Sequence, residues 1–464
     1  MSFQLELSEC IRPLGASLTG DSVTVKGVSI DSRTLKPGEL YVAIVGERFN
    51  GHEFVNAAKE AGAAAIMVHE EVNCELPQLG VADTQLALGQ LGKFWAARFA
   101  IPTVAITGSN GKTTVKEIVT SILQQQGPVL ATRGNLNNEL GVPLTLLNMR
   151  KEHDYAVIEM GANHAGEIAR LVALVEPDVA VVTNIGTAHL EGFGSVEGIA
   201  AAKSEIYAGL KSDGYGVINA DDAYADFMRG ACEHCRSRDF GRVMDADVSG
   251  APGQEFVIDT MGRRASPRFR LAGEHNFMNA LAAVAAAQCL DVQLDSIVRG
   301  LEAVSAVPGR LEKKSGASGA LIIDDSYNAN PDSVRCAINV LAAHHGKQFL
   351  VLGDMGELGP DSPAMHSEIG RFAREQGVDG LWTTGDLSCE TQSAFQDSVT
   401  DVKPEQGAHF KDQASLISNL LDHLSDDVTV LIKGSRSAHM ENVVNALVIS
   451  AEGSPEAAST GAPS

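Results

Sequence analysis

The sequence predicts an α/β protein of three domains, and three observations carry that expectation. Its 464 residues are about three domains' worth of chain. Short apolar runs alternate with segments of helical periodicity over most of the length, the pattern of doubly wound, largely parallel sheets. One such run, Thr103-Val-Ala-Ile106, leads directly into a glycine turn, Gly108-Ser-Asn-Gly111, and then into a helix-period segment, Val115 to Leu123.

In chain order, residues 1–84 carry strand-like runs at Ser22 to Ser29, Leu40 to Val45 and Ala64 to Val68, interrupted by Lys36-Pro37-Gly38 and Gly46, and read as a small N-terminal α/β domain. Residues 85–312 form the central domain, with strands expected at Thr103 to Thr107, Tyr155 to Met160, Val179 to Asn184 and Gly216 to Asn219. Residues 313–450 give a third α/β unit of Rossmann-like pattern, with strands expected at Ala320 to Asp324, Gln348 to Leu352, Gly380 to Thr384 and Val428 to Ile432. Residues 451–464 are Ser, Ala, Pro and Gly without an apolar face, so they are expected to be a disordered tail. No fixed-period repeat is present.

The composition narrows the function. A net charge of −23 argues against nucleic acid as a partner, because a phosphate backbone demands basic surface. No run approaches the length of a membrane span, and the first residues lack a basic region and signal core, which predicts a cytoplasmic protein. Seven scattered cysteines make no disulfide framework. Cys232-Glu-His-Cys235 has metal or redox spacing but no second pair, and reads as bystander thiols.

The chemistry concentrates at Gly108, Ser109, Asn110, Gly111, Lys112, Thr113 and Thr114. Glycines between a strand and a helix let backbone N–H groups curl around a phosphate at the positive end of the helix. Lys112 can reach the terminal phosphates, and the Thr113 hydroxyl can ligate magnesium. The longer form of this motif has a glycine where this chain has Ile106, so the loop is a shortened G-x-x-G-K-T variant. It is read as an ATP site. Glu159 ends a strand candidate, where it can serve magnesium or simply cap the strand. His189 follows another strand candidate; by spacing alone it is either a packed residue or a ligand. Lys203 sits in a helix-period segment, where a lysine is ordinarily a solvated cation. Asp324-Asp-Ser-Tyr-Asn-Ala-Asn-Pro-Asp332 is a polar loop after a strand, and Arg310 lies in the linker Val307-Pro-Gly-Arg-Leu-Glu312, either touching a phosphate or anchoring the linker.

In order along the chain, Asp31-Ser-Arg33, Gly46 to His52, Thr107 to Thr114, Gly134 to Pro143, Glu159 to His164, Ala188 to Gly194, Gly273 to Asn276 with Asn279, Asp325 to Pro331, Gly353 to Glu357 and Lys433 to His439 together resemble the Mur ligases. The resemblance spans about residues 25–446. It implies an ATP-dependent, amide-forming ligase of peptidoglycan synthesis, taking UDP-N-acetylmuramoyl-tripeptide and D-alanyl-D-alanine through an acyl phosphate. It makes the N-terminal domain the uridine-nucleotide domain, with Ser32, Arg33, Asn50 and His52 toward that substrate and Asn138, Asn328 and Asn330 as further substrate candidates. It implies two Mg2+ ions, one held by Thr113 and Glu159 and the other by His189 and a carbamylated Lys203. Asn279 would face adenine, Asp325 the ribose and Arg310 the γ-phosphate. Lys112, His189 and Lys203 would carry catalysis, with the general base either His189 or a third-domain side chain. A monomer is expected.

Two competing readings remain. A sister ligase adding a single amino acid would share the mechanism, although the Asp-Asn-Pro-Arg motif of the diamino-acid-adding sister is absent. A regulatory switch that merely hydrolyses ATP would need neither the third-domain loop nor the N-terminal segments. Residues 232–270 match nothing assignable.

Overall fold

In the computed structural model, which describes residues 3–243, 245–251, 257–260, 262–397 and 407–448, the chain divides into two compact units. The first comprises residues up to Gly186, Gly192–Arg270 and Asn276–Val304; the second comprises Thr187–Glu191, Leu271–His275 and the chain from Ser305. The expected tail, 451–464, lies outside the described residues.

The first unit holds two larger sheets. The N-terminal one has five strands in the order Ser17–Thr19, Gln78–Gly80, Ala65–Val68, Leu40–Val42, Val28–Ser29; it is parallel except for the first pair. Two of its three inner strands, Leu40–Val42 and Ala65–Val68, are buried throughout, as a sheet covered on both faces requires. The central sheet has nine strands, in the order Arg263–Ala265, Val257–Thr260, Val248–Ala251, Arg236–Gly241, Tyr215–Asn219, Val179–Val182, Thr103–Thr107, Tyr155–Glu159, Val129–Ala131. All its pairs are parallel except the two that make the Val248–Ala265 edge. After Thr103–Thr107 the chain travels to the Val129–Ala131 edge, returns to Tyr155–Glu159, then crosses to Val179–Val182 on the other side. The order therefore reverses at Thr103–Thr107, and such a switch point is where doubly wound sheets bind ligands.

The second unit is built on six strands in the order Glu312–Ser315, Leu321–Asp325, Val428–Lys433, Lys347–Gly353, Gly380–Thr384, His409–Phe410, parallel except for the first pair. Apolar clusters cover both faces. Ile323, Leu350, Leu352 and Leu431 pack with the helices Pro331–Ala342 and Ser362–Glu375. Ile322, Val351, Val430 and Ile432 pack with Gln413–Leu421 and Glu441–Leu447. Strand alternation sends successive side chains to opposite clusters.

Candidate active site

The phosphate-loop reading becomes a physical object at the switch point. The helix that follows begins at Lys112, so Lys112, Thr113 and Thr114 form its first turn, with Gly111 as N-cap. Gly111 has φ 81° and Gly108 φ 145°, both in the region that side chains avoid. There is also no room for a side chain. A Cβ on Gly108 would lie 1.9 Å from Thr183 Oγ1, and one on Gly111 would lie 2.3 Å from Asn279 Oδ1.

A neighbouring segment braces the loop. The Ser109 N–H donates to Asn184 O at 2.9 Å, the Asn110 N–H to Asn184 Oδ1 at 3.0 Å, and the Gly186 N–H to Ser109 Oγ at 2.9 Å. Thr183 Oγ1 and Asn184 Nδ2 both donate to Asn110 O. Lys112 Nζ arches back over the turn and donates to Gly108 O at 2.7 Å and Ser109 O at 3.2 Å. Asn279 donates to Asn276 Oδ1 and lies buried beside Gly111, so the expected adenine residue and the loop are brought together.

Two charged side chains complete this region. Glu159 ends its strand in register with Ile106 on the loop strand and is 2 % exposed. Its N–H donates to Thr132 Oγ1, and its Oε1 accepts from Asn137 Nδ2 at 2.8 Å. Its Oε2 is buried with no hydrogen-bond partner. Lys203, near the end of the helix Val196–Ser204, is 0 % exposed, which corrects the solvated-cation reading. The sequence placed it rightly on a helix, but the helix turns that face inward. Its Nζ also lacks a hydrogen-bond partner and sits 5.3 Å from the Phe193 ring centroid. Burial, followed by repulsion from Lys112, brings its ammonium down to about 7, against the pull of Glu167 and Glu205. Unpaired buried polar atoms are rare and costly, so each of the two is a candidate contact for a bound group.

In the second unit, Asp325 ends its strand opposite Lys433, which donates to Asp325 Oδ2 and to Asn328 O. Burial raises the Asp325 carboxyl and the Lys433 ammonium counters it. Arg310 stacks on Tyr327 at 4.3 Å, and the Leu311 N–H donates to Asp325 Oδ1, so linker and loop are joined. Asn330 caps the helix Pro331–Ala342 in a capping box with Ser333. His189 Nδ1 pairs with Glu357, whose carboxyl is thereby held below the usual range. Asp332 Oδ2 accepts from both the N–H and the hydroxyl of Thr187. Glu357 and Asp332 had no assigned role in the sequence; their motif segments were visible, but the partners are far away along the chain.

The substrate candidates of the first unit are locally engaged. Arg33 forks onto Asp31 and holds that carboxyl at about 2; Ser32 lies between them, half-buried. Asn50 caps the turn Gly51–Phe54 and accepts from the His52 ring, whose other nitrogen accepts from the His69 N–H. Asn138 accepts from the Gly141 N–H at the start of Gly141–Leu146. Cys232 and Cys235 are free thiols, and no group of three or more His, Cys, Asp or Glu that could hold a metal exists among the described residues.

A braced glycine loop at a sheet switch point, with a lysine over it and a buried carboxylate on the adjacent strand, defines a nucleoside-triphosphate-binding α/β protein. Comparison sharpens the class. The Mur ligase family catalytic domain matches residues 24–120, the Mur ligase middle domain 106–287, and the Mur ligase glutamate ligase domain 309–436. The UDP-N-acetylmuramoyl-tripeptide–D-alanyl-D-alanine ligase of Escherichia coli K12 is 42% identical, over 95% of this chain and 98% of that one. The crystal structure of MurF from Acinetobacter baumannii has a TM-score of 0.89 at 38% identity, covering 96% and 98% of the two chains. The Thermotoga maritima MurF ligase in complex with ADP has a TM-score of 0.79 at 29% identity, covering 90% and 96%. The chain belongs to the Mur ligase family and has its three-domain α/β architecture.

Proposed function

We infer that this protein is the ATP-dependent ligase that joins D-alanyl-D-alanine to the terminal carboxylate of UDP-N-acetylmuramoyl-tripeptide in peptidoglycan synthesis. The observation that carries the reading is a fully built phosphate loop in a chain 42% identical, over nearly its whole length, to a relative named for that reaction. A carboxylate and an ammonium do not condense in water, so the γ-phosphate of ATP passes first to the tripeptide carboxylate. The dipeptide amine then attacks the acyl phosphate and phosphate leaves.

Each residue's part follows from its chemistry. The loop N–H groups and the Gly111-capped helix start receive the phosphates, and Lys112 exchanges its bonds to Gly108 O and Ser109 O for phosphate oxygens. Asn279, Arg310 and Asp325 are assigned to adenine, γ-phosphate and ribose. Ser32, Arg33, Asn50, His52, Asn138, Asn328 and Asn330 are assigned to the peptide and uridine substrate. Residues 1–84, 85–312 and 313–450 divide the work into uridine binding, ATP binding and ligation. We place the reaction in the cytoplasm, carried out by a monomer; among the described residues no helix is long and apolar enough to cross a membrane.

The orphaned atoms fit the family's metal chemistry. Thr113 and Glu159 would hold one Mg2+, His189 and carbamylated Lys203 the other. The partnerless Glu159 Oε2 and an amine lowered to about 7, which is partly neutral and able to add CO2, support this. Bound magnesium neutralises charge on the transferring phosphoryl group. The His189–Glu357 pair supports His189 as an oriented ring; the general base stays with either His189 or a side chain of the 313–450 region.

The test is phosphate release with Mg-ATP and UDP-N-acetylmuramoyl-tripeptide, with and without D-alanyl-D-alanine. Release that requires the dipeptide establishes the reading. Release with a single amino acid moves the chain to a sister activity, and release indifferent to every amine makes it a switch.

A further inference from the structure

The turn Gly108–Gly111 has to curl without the first glycine of the longer motif, whose place is taken by buried Ile106. Its shape is imposed from outside. A trans peptide points its C=O and N–H in opposite directions, so a hydrogen bond on one side of the turn fixes what faces the other. The N–H groups of Ser109 and Asn110 donate to Asn184 O and Asn184 Oδ1, at 2.9 and 3.0 Å. The carbonyls of the same two peptides, Gly108 O and Ser109 O, accordingly face away from Asn184 and accept from Lys112 Nζ.

The third peptide is reversed. Asn110 O turns toward Asn184, where Thr183 Oγ1 and Asn184 Nδ2 donate to it at 2.6 and 3.0 Å. The Gly111 N–H is thereby aimed to the Lys112 side, beside the opening turn of the helix Lys112–Leu123. Gly111, with φ 81° and ψ −7°, has the conformation of the third residue of a type II turn. Turning over the central peptide of such a turn gives type I, and would put the Asn110 carbonyl where the Gly111 N–H now points. A carbonyl oxygen there repels the phosphate that an N–H would bind.

The residues that hold this peptide are themselves anchored. Thr183 O accepts from Asn219 Nδ2 at 3.1 Å, and the Ile185 N–H donates to Asp222 Oδ2 at 2.8 Å. The other Asp222 oxygen accepts from the Tyr224 N–H at 2.9 Å. Asn219 ends the adjacent strand and Asp222 lies just beyond it, so Thr183 and Asn184 meet the loop from fixed positions.

We propose that Asn184 is a positioning residue for the nucleotide: with Thr183 Oγ1 beside it, its amide holds the Asn110–Gly111 peptide in the orientation that presents the Gly111 N–H to a phosphate. The role rests on the ATP reading above and extends it to a residue outside the phosphate loop. A side-chain amide can accept from the Asn110 N–H and donate to the Asn110 carbonyl at once. Aspartate would keep the acceptor, lose the donor and set an anion against Asn110 O.

The test uses the full chain and the variants Asn184→Leu, Asn184→Asp, Thr183→Val and Thr183→Ser. Calorimetry gives the Kd of AMP, ADP and ATP with magnesium in excess. Labelling with 13C-carbonyl asparagine and 15N-glycine isolates the amides of Gly51 and Gly111, the two glycines that follow an asparagine, and Asn50→Ser removes the first. Both Asn184 variants are expected to weaken ADP and ATP about 10- to 100-fold and AMP less than about threefold. They should also move the Gly111 amide signal before any nucleotide is added. Thr183→Val removes one of two donors and should weaken ADP and ATP about three- to tenfold, while Thr183→Ser binds as the wild type does. Unchanged ADP and ATP affinity in both Asn184 variants overturns the proposal. So does a loss equal for all three nucleotides with an unmoved Gly111 signal, or an Asn184→Asp variant that matches the wild type. Should the wild type bind no adenine nucleotide, the ATP reading fails, while the Gly111 signal still decides whether Asn184 sets the peptide.

Discussion

The two larger sheets of this protein both bury charge near the ends of their strands, and they treat it in opposite ways. In the six-stranded sheet Asp325 is matched by Lys433 on the adjacent strand, and Asp324 by Lys314 on the antiparallel edge strand. In the nine-stranded region Glu159 leaves one carboxylate oxygen unpaired, and Lys203 leaves its whole ammonium so. A buried charge with its counter-ion in place is part of the architecture. One without costs stability that a matching partner would return. The contrast separates charges already matched within the fold from charges that the fold leaves unmatched.

Substitution can break the contrast, beginning with the largest effect. Lys112→Ala should abolish turnover, and Lys203→Met should reduce it by several orders of magnitude; normal phosphate release by either would end the assignment. Lys203→Met should also raise the melting temperature, because it removes an unpaired buried amine, and Lys203→Ala should regain part of its activity from added small carboxylates. Lys433→Met should do the reverse for stability. It strands Asp325 and is expected to cost about 3–5 kcal/mol in denaturant unfolding, with much of that returned by adding Asp325→Leu. If Lys433→Met proves neutral, the paired site is not architectural.

A further variant sharpens the picture at the loop. Gly111→Ala sets a methyl against Asn279 and forces a left-handed backbone, so it should weaken ATP binding by about 1–3 kcal/mol in calorimetry. The smallest effect is a pH dependence. Burial, and then Lys433, lowers His275 from 6.5 to about 4. Its folded pKa lies below its unfolded one, so the unfolded chain binds the extra proton as pH falls below 6.5. Stability should therefore decline between pH 6.5 and 4, and His275→Gln should flatten that part of the melting-temperature profile.

Much of the fold was legible because buried parallel strands are apolar on both faces. Thr103–Thr107 and Gly380–Thr384 occur as read, and Tyr155–Glu159 and Val428–Lys433 differ by one residue. Polar strands escaped for the complementary reason. Glu312–Ser315, at a sheet edge, reads Glu-Lys-Lys-Ser and alternates half-buried with exposed residues, and the inner strand Arg236–Gly241 is mostly polar and begins exposed. The helix after the glycine loop starts at Lys112 and not Val115, because its first turn is spent on the polar residues Lys112, Thr113 and Thr114, which carry no apolar period. The burial of Lys203 was invisible to periodicity, which gives a helix face but not what covers it. Glu357 was equally hidden, as its partner lies more than a hundred residues earlier in the chain.

The segment that matched nothing assignable, 232–270, supplies the far edge of the central sheet. Its described strands turn from parallel to antiparallel there, and the last, Arg263–Ala265, shows two exposed arginines, Arg264 paired with Asp259 on the neighbouring strand. An open strand margin is a template on which another chain can add itself, and a short, cationic final strand spoils it. At this margin the exposed Arg263 and Arg264 make the sheet a poor template for a further strand.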